Sequence, residues 1–144
     1  MAEAVANSGL LAVRLVSPDR LLLDATAESV ELPSSSGYLE ALYGAAPLLA
    51  ELGAGEVRLH GGTSGDQKFF VAWGLVEVLP ERVTILAETA MHPNEIDTAE
   101  AQQELALGEK MWNEAGDDGS KYDYANAMTR QAEEKLASGK GESV

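Results

Sequence analysis

The run Phe69-Phe70-Val71-Ala72-Trp73-Gly74-Leu75-Val76-Glu77-Val78-Leu79-Pro80-Glu81-Arg82-Val83-Thr84-Ile85-Leu86-Ala87-Glu88 decides the fold of this 144-residue chain. Aromatic and β-branched residues favour strands, and the Pro-Glu pair predicts a tight turn between two antiparallel strands. Even positions from 70 to 78 would share one face and odd positions from 69 to 79 the other. Both faces are apolar, which predicts a hairpin between two layers. Gly74, in mid-strand, predicts a bulge or the close approach of another backbone.

The overall composition excludes several classes of function. A chain of 144 residues predicts one domain, or one domain with an appendage. No apolar run approaches the roughly 18 to 20 residues of a membrane span, so we expect no direct membrane insertion. The acidic N-terminal segment lacks the features of a signal or transit peptide, which predicts a cytosolic location. The net charge of −14 argues against nucleic acid and anionic lipid as partners.

Residues able to carry chemistry are sparse. The chain has no cysteine, and His60 and His92 are too isolated to predict a metal site. No paired carboxylates and no Ser/His/Asp order indicate a catalytic centre, so we expect no catalytic residues and no enzyme activity. The glycine-rich loop 61–66 lacks a Gly-Lys-Ser/Thr ending and precedes a strand, which favours a hairpin loop over a phosphate cradle.

Turn signals and hydrophobic periodicity divide the chain into four parts. The first, residues 1–90, is a β-sandwich with short strands expected at 10–16, 21–23, 27–32 and 56–60 and an irregular segment at 38–52. Residues 91–96 form a connector. Residues 97–138 form a helical hairpin in which Asp97 caps the first helix, with Glu100 at the capping-box position, and Ser120 caps the second. Residues 139–144 are expected to be a disordered tail.

Four runs of sequence, in this order, resemble the epsilon subunit family of the bacterial F-type ATP synthase, which matches the delta subunit in mitochondria. The runs are 37–49, 73–87, Glu95-Ile96-Asp97 and Asp123-Tyr124-Ala125-Asn126-Ala127. The resemblance covers residues 11–136. It implies an all-β sandwich of about ten strands followed by a C-terminal antiparallel α-helical hairpin, in agreement with the pattern of turns and periods.

The resemblance also implies a function. A family member is a non-catalytic rotor subunit of the central stalk, which couples the gamma subunit to the membrane c-ring in proton-driven ATP synthesis and needs no cofactor. It is a peripheral protein on the cytoplasmic face of the bacterial inner membrane. The segment that lies near gamma and near the polar loops of the c-ring corresponds here to residues 37–45, with predicted partner contacts at Tyr38, Leu39, Leu42 and Ala45.

Two regulatory features of the family concern the hairpin. Some members bind ATP through Ile-Asp-x-x-Arg-Ala, and the corresponding residues here are Ile96, Asp97, Glu100 and Ala101. A carboxylate replaces the arginine that would contact phosphate, so we expect weak or absent ATP binding. The hairpin can also inhibit the enzyme by extending toward the beta subunits. Its basic residues are offset by acidic ones in this sequence, which predicts weak inhibition.

Two other functions are consistent with the sequence. The chain could be a regulatory module whose hairpin closes on a nucleotide, or a stand-alone β-sandwich binding domain with a helical tail. Copurification with gamma separates the rotor subunit from the stand-alone domain. An ATP titration separates the rotor subunit from the nucleotide sensor.

Overall fold

The computed structural model describes residues 9–140, with Lys140 described by its backbone alone, and the chain divides into two compact units between His92 and Pro93. The first unit contains seven strands and the second contains a short 3-10 turn and two helices. The strands are β1 (Leu11–Val16), β2 (Leu21–Ala27), β3 (Ser29–Ser34), β4 (Gly37–Leu42), β5 (Leu48–His60), β6 (Gln67–Val78) and β7 (Arg82–Met91). The helices are α1 (Thr98–Glu114) and α2 (Gly119–Lys140), preceded by the turn Pro93–Glu95.

Strands β6 and β7 form the antiparallel hairpin that the sequence predicts. The amide of Leu79 donates to the carbonyl of Arg82 at 2.8 Å, and the amide of Arg82 donates back at 3.3 Å, which closes the turn at Pro80 and Glu81. The seven strands are hydrogen-bonded in the order β2-β1-β7-β6-β5-β3-β4. All neighbours are antiparallel except β1 and β7, which are parallel.

The positions that face the core change parity within β6. Phe69 and Val71 belong to the core before the change, whereas Val76 and Val78 belong to it afterwards. The prediction that even positions share one face and odd positions the other along all of β6 is therefore wrong. The cause is the backbone between the two halves, because Trp73 has a φ of 61° and Gly74 a φ of 132°.

In the neighbouring long strands, β5 and β7, the positions that face the core also switch between even and odd, beside the switch in β6. The core contains Leu52 and then Val57 and Leu59 in β5, and Val83, Ile85 and Ala87 in β7 with the partly buried Ala90 beyond them. A Cβ at Gly74 would overlap the carbonyl oxygen of Leu86, which confirms the predicted close approach of another backbone. The three long strands consequently bend together, and each contributes to two layers.

Because the three long strands bend and take part in both layers, seven strands are enough to form the sandwich. One layer comprises β1, β2 and residues 48–52, 74–78 and 82–87 of the long strands. The other comprises β3, β4 and residues 54–60, 67–72 and 89–91. A single apolar core includes residues of both layers. The prediction of a sandwich is confirmed, but about ten strands is wrong, because seven strands supply the segments of both layers.

The segment 38–52, predicted to be irregular, contains β4 and the start of β5. Strand β5 continues from Leu48 to His60 because glycines allow the backbones to approach closely. A Cβ at Gly53 would lie 2.9 Å from the carbonyl oxygen of Ser34. The sequence predicted that Gly53-Ala54-Gly55 would lead into a strand at 56–60, whereas these residues lie within β5.

The predicted N-cap of α1 is confirmed, whereas the predicted N-cap of α2 is wrong. The Asp97 carboxylate accepts hydrogen bonds from the amides of Ala99 at 3.0 Å and Glu100 at 3.1 Å, which confirms Asp97 as the N-cap of α1. Helix α2 is capped by Asp118, whose carboxylate accepts from the Ser120 amide at 3.0 Å and the Ser120 hydroxyl at 2.6 Å. The predicted cap at Ser120 is wrong, because the ionised carboxylate is the stronger acceptor and starts the helix at 119.

The end of α2 lies two residues beyond the predicted end at 138. Gly139 and Lys140, which were assigned to the tail, are helical. Residues 141–144 of the predicted tail lie outside the described residues.

The helices pack antiparallel through small side chains. Lys135, late in α2, contacts Glu104 of α1 at 3.1 Å, whereas Tyr122, early in α2, lies against Trp112 near the end of α1. Buried small residues recur at intervals of seven: Ala101 and Gly108 in α1 with Ala115 just after it, and Ala125 and Ala132 in α2. Ser138, six residues beyond Ala132, is also buried. Small residues at this spacing let two helices approach closely.

Candidate partner interface

The outer face of the layer that contains β1 and β2 carries a contiguous apolar strip. Leu21, Val16, Leu86 and Leu75 are successive cross-strand partners on β2, β1, β7 and β6. We call these four residues the apolar row. Leu21, Leu75 and Leu86 are 53%, 47% and 51% exposed. Exposed apolar side chains aligned on adjacent strands are typical of a surface that binds another protein.

Charged residues border the apolar row. Glu51 lies opposite Leu75 and extends the row onto β5. The adjacent row of cross-strand partners contains Asp24, Arg14, Thr84, Glu77 and Leu49. Arg14 and Asp24 form an exposed ion pair at 3.2 Å. The face is therefore an apolar strip with a partly acidic border, which resembles the apolar centre and polar rim of protein interfaces.

A second exposed apolar surface lies at one end of the sandwich. We call residues 42–49 the tip. Gly44, with a φ of 86°, donates its amide to the carbonyl of Pro80 at 2.7 Å, so the tip lies beside the β6–β7 turn. Its exposed large apolar side chains are Leu42, Tyr43, Leu48 and Leu49.

The four predicted contact residues divide into two pairs. Tyr38 and Leu42 are exposed on β4, whereas Leu39 and Ala45 are partly buried and pack against the core. The alternation of β4 explains the division between Leu39 and its neighbours, because successive side chains in a strand lie on opposite faces. The structure thus brings only Tyr38 and Leu42 of the predicted set to the surface as large exposed side chains.

Tyr38 has a structural contact as well as an exposed surface. Its hydroxyl accepts a hydrogen bond from the amide of Glu56 at 2.9 Å, and its ring centre lies 5.4 Å from the guanidinium carbon of Arg58. A Cβ at Gly55 would overlap the Tyr38 hydroxyl, so glycine is needed where the ring crosses β5. Tyr38 therefore ties β4 to β5 across the intervening strand.

A charged cluster beneath Tyr38 was missed by the sequence reasoning. Glu56 is 1% exposed, and its carboxylate accepts from Arg58 at 3.1 Å. Arg58 also contacts Glu31 at 3.3 Å, and the Nε2 atom of His60 lies 3.6 Å from Glu31. The available signal was the alternation Glu-Val-Arg-Leu-His at 56–60, which places all three ionisable residues on one face.

The electrostatics of this cluster indicate a structural role. Burial by itself would lower the pKa of Arg58, but hydrogen bonds to Glu56 and Glu31 offset it and hold the pKa above its ordinary value. Arg58 consequently keeps its charge and neutralises the buried carboxylate of Glu56. The cluster links β3 to β5 through side chains.

Three of the residues that correspond to the ATP-binding motif of the family, Asp97, Glu100 and Ala101, have structural roles or contacts within the helix. The carboxylate of Asp97 caps α1, and Ala101 is buried. Glu100 is exposed and its amide is bonded to the Asp97 carboxylate. Weak or absent ATP binding stays a prediction.

Within residues 9–140, neither helix has the length and apolar character that crossing a bilayer requires. In the same part of the chain, no three His, Asp or Glu side chains are grouped so that they could hold a metal ion.

Comparisons with known proteins agree on one family. Residues 10–93 match the model of the ATP synthase, Delta/Epsilon chain, beta-sandwich domain. The ATP synthase epsilon chain of Koribacter versatilis is 43% identical over 103 residues, which are 71% of each chain. The ATP synthase epsilon chain 2 of Ralstonia nicotianae is 36% identical over 124 residues, which are 86% of this chain and 87% of that one.

Solved structures support the fold. A chain of the Euglena gracilis mitochondrial ATP synthase OSCP/F1/c-ring assembly matches with a TM-score of 0.75 at 15% identity, over 90% of this chain and 81% of that one. A chain of the Tetrahymena thermophila mitochondrial ATP synthase central stalk and c-ring matches with a TM-score of 0.58 at 14% identity, over 88% and 96%. The family model and the sequence relatives show that the chain belongs to the delta/epsilon subunit family of the ATP synthases.

Proposed function

We propose that this protein is a non-catalytic rotor subunit in the central stalk of an F-type ATP synthase. It would couple the gamma subunit to the membrane c-ring in proton-driven ATP synthesis, as a peripheral protein on the cytoplasmic face of the bacterial inner membrane. Membership of the family supports the assignment to this enzyme. The single observation that carries the coupling role is the apolar row.

The apolar row is proposed as the contact with gamma. A subunit that transmits torque must be held firmly by the rotating shaft, and buried apolar side chains at the centre of an interface supply most of the binding energy. Leu86 lies within the row and Leu75, its direct cross-strand partner, forms the end of the row on β6; each is about half exposed. A partner that covers them removes a large part of their surface from water without any rearrangement of the sandwich.

The tip is proposed as the contact with the polar loops of the c-ring. It contains Leu42 and Ala45 and lies beside the turn at Pro80. Of the predicted contacts, Leu42 and Tyr38 would touch a partner, whereas Leu39 and Ala45 would fix the shape of the surface from the core side. A sandwich that offers one surface on a face and another at an end can join two different partners.

Paired surface variants test the gamma contact. We expect the double variant Leu75→Glu and Leu86→Glu to weaken binding to the purified gamma subunit by about 100-fold, because two large apolar contacts are replaced by desolvated charges. Leu107→Glu is the control, since Leu107 is also exposed but lies on α1. Unchanged gamma affinity in the double variant, with circular dichroism showing an intact fold, would contradict the proposal.

The hairpin is proposed to inhibit ATP hydrolysis weakly and to bind ATP weakly or not at all. Lys135, one of the basic residues that could attract the beta subunits, already contacts Glu104 at 3.1 Å. Lys121, Arg130 and Lys140 are offset by Asp123, Glu133, Glu134 and Glu142 in the sequence. Removal of residues 97–144 should change the hydrolysis rate of the assembled enzyme little. A severalfold activation of hydrolysis would refute the proposal of weak inhibition. Micromolar ATP affinity of the full chain would refute the proposal of weak or absent ATP binding.

A further inference from the structure

The helical hairpin contains a cavity that the rotor function does not use. Its volume is 410 Å³, within the range of about 300 to 1,000 Å³ that is typical of small-molecule sites. The cavity lies between the helices toward their connected ends. Its lining residues are Glu109, Trp112 and Asn113 of α1 and Asn126 and Thr129 of α2.

The wall formed by Trp112 is held in place. Tyr122 packs edge-on against the indole with ring centres 4.6 Å apart, and the Tyr122 hydroxyl donates to the carbonyl of Gly116 at 2.8 Å. Gly108 brings the helices together one turn earlier, since a Cβ there would lie 2.5 Å from the Thr129 hydroxyl. Trp112 nevertheless remains 47% exposed. The indole is therefore an aromatic surface that its neighbours hold in place and that a ligand can reach.

The chemistry of the lining selects a cation. The lining residues include one carboxylate side chain, Glu109, and one indole, Trp112. The side chains of Asn113, Asn126 and Thr129 each have an oxygen of the kind that accepts hydrogen bonds from an ammonium group. No lysine or arginine is among these lining residues. Arg130 follows Thr129 in the sequence and is exposed. The chain has a net charge of −14, which also favours cations over phosphate-bearing ligands.

We propose that this cavity binds an alkylammonium group, either of a free diamine or of a lysine side chain on a partner. Glu109 would pair with the ammonium, and Trp112 would cover its methylene groups and interact with its charge through the ring face. One exposed ion pair and one cation–π contact are weak individually, so the expected dissociation constant is on the order of 1 mM. The site belongs to the second unit, whereas the residues proposed to contact gamma and the c-ring belong to the first.

Nuclear magnetic resonance of the full-length protein tests the site. The chain has two tryptophans, so its spectrum should contain two indole N–H signals, which Trp112→Phe assigns. We expect putrescine and Nα-acetyl-lysine methylamide to shift the Trp112 signal but not the Trp73 signal. Glu109→Gln should weaken this binding by about three- to fivefold, whereas Glu114→Gln, an exposed control on the same helix, should not. Added salt should also weaken it.

The possible outcomes separate the sources of the ligand. Shifts by both probes, dependent on Glu109, support a general alkylammonium site. A shift by the lysine derivative alone supports a partner's lysine side chain, and one by putrescine alone supports a free diamine. The proposal is overturned if neither probe shifts the Trp112 signal, if Glu109→Gln binds as well as the unaltered protein, or if adenosine monophosphate binds more tightly than the amines.

Discussion

At the scale of single residues, the backbone of Trp73 and Gly74 determines how the sandwich is built. A φ of 61° at Trp73 is uncommon for a residue with a bulky side chain. It reverses which side chains of β6 face the core, so that Phe69 and Val76 can both be buried. Gly74 makes this possible, because another backbone occupies the space where a Cβ would be.

Substitution of Gly74 should therefore be costly. We expect Gly74→Ala to lower the free energy of unfolding by about 3 to 5 kcal/mol, since backbone strain and steric overlap both contribute. Gly65→Ala is the matched control, because Gly65 also has a positive φ, 72°, but has open space around its Cβ position. The control should cost only about 1 to 2 kcal/mol. Urea denaturation measures both values, and equal losses would show that the overlap with Leu86 is unimportant.

The ion pair of Arg58 with the buried Glu56 leads to a second prediction. Arg58→Met leaves a carboxylate that is 1% exposed without this partner, so the free energy of unfolding should fall by about 3 kcal/mol. Arg14→Met removes an exposed partner of Asp24 and should cost no more than about 1 kcal/mol. The measurement is chemical denaturation at neutral pH. Similar losses for the two variants would contradict a structural role for the cluster.

Residue patterns predicted the turn of the β6–β7 hairpin better than the conformation within β6. The Pro-Glu pair at 80–81 is a local signal, and the turn forms there. The change of face at Trp73 could not be predicted, because it depends on a φ value that sequence propensity disfavours and that tertiary packing imposes. Glu56 was missed for a related reason, since its alternation with Arg58 and His60 is the same in a solvated strand.

At the scale of secondary-structure elements, Asp118 makes the stability of the start of α2 depend on pH. The Ser120 hydroxyl and the amides of Lys121 and Ser120 donate to this residue and lower its pKa from the ordinary value of 3.8, although desolvation opposes them. A lowered pKa in the folded state means that the stabilisation is present above the ordinary pKa and is lost as the pH falls through the folded value.

The N-cap can therefore be tested by acid titration. We expect the helical circular dichroism of the unaltered protein to decrease below about pH 4 in a step to which Asp118 contributes. Asp118→Asn keeps a good capping side chain without a carboxyl group, so the step should be smaller. Asp117→Asn is the control, because Asp117 is the neighbouring acidic residue in the same loop. Identical titrations for Asp118→Asn and the unaltered protein would exclude the proposed cap.

The hairpin depends on Gly108 for its close helix packing. We expect Gly108→Leu to separate α1 from α2, since even a Cβ at this position would lie 2.5 Å from the Thr129 hydroxyl. Amide hydrogen exchange should then become faster in α1 and α2 by about tenfold or more, while the strands of the first unit stay protected. Ala106→Leu, at an exposed position of α1, should change little. Unaltered exchange in Gly108→Leu would contradict this packing.

The existence and type of the helices were predictable because their signals are local. Asp97 before a run of helix-forming residues predicts an N-cap, and the short break at 116–119 predicts antiparallel neighbours. The strand continuity of β5 was not predictable, because Gly53 and Gly55 are more common in turns than in strands. Contacts of these glycines with Ser34 and Tyr38, which are distant in the sequence, keep β5 extended.

At the scale of the whole molecule, the family was recognisable from the sequence but the proposed interface was not. The runs at 37–49 and 73–87 resemble the family, and residues 10–93 match its model. Val16, Leu21, Leu75 and Leu86 are ordinary apolar residues in the sequence. They form one exposed row only through the register of four strands, including the parallel pairing of β1 with β7.

The central claim is that this row is covered by the gamma subunit when the sandwich joins the rotor. Hydroxyl-radical footprinting of the chain, alone and mixed with the purified gamma subunit, tests it most directly. We predict a one-to-one complex in which oxidation of Leu75 and Leu86 is strongly suppressed while that of Leu107 is unchanged. The absence of a complex, or a complex in which Leu75 and Leu86 are oxidised as fast as in the free chain, would contradict the claim.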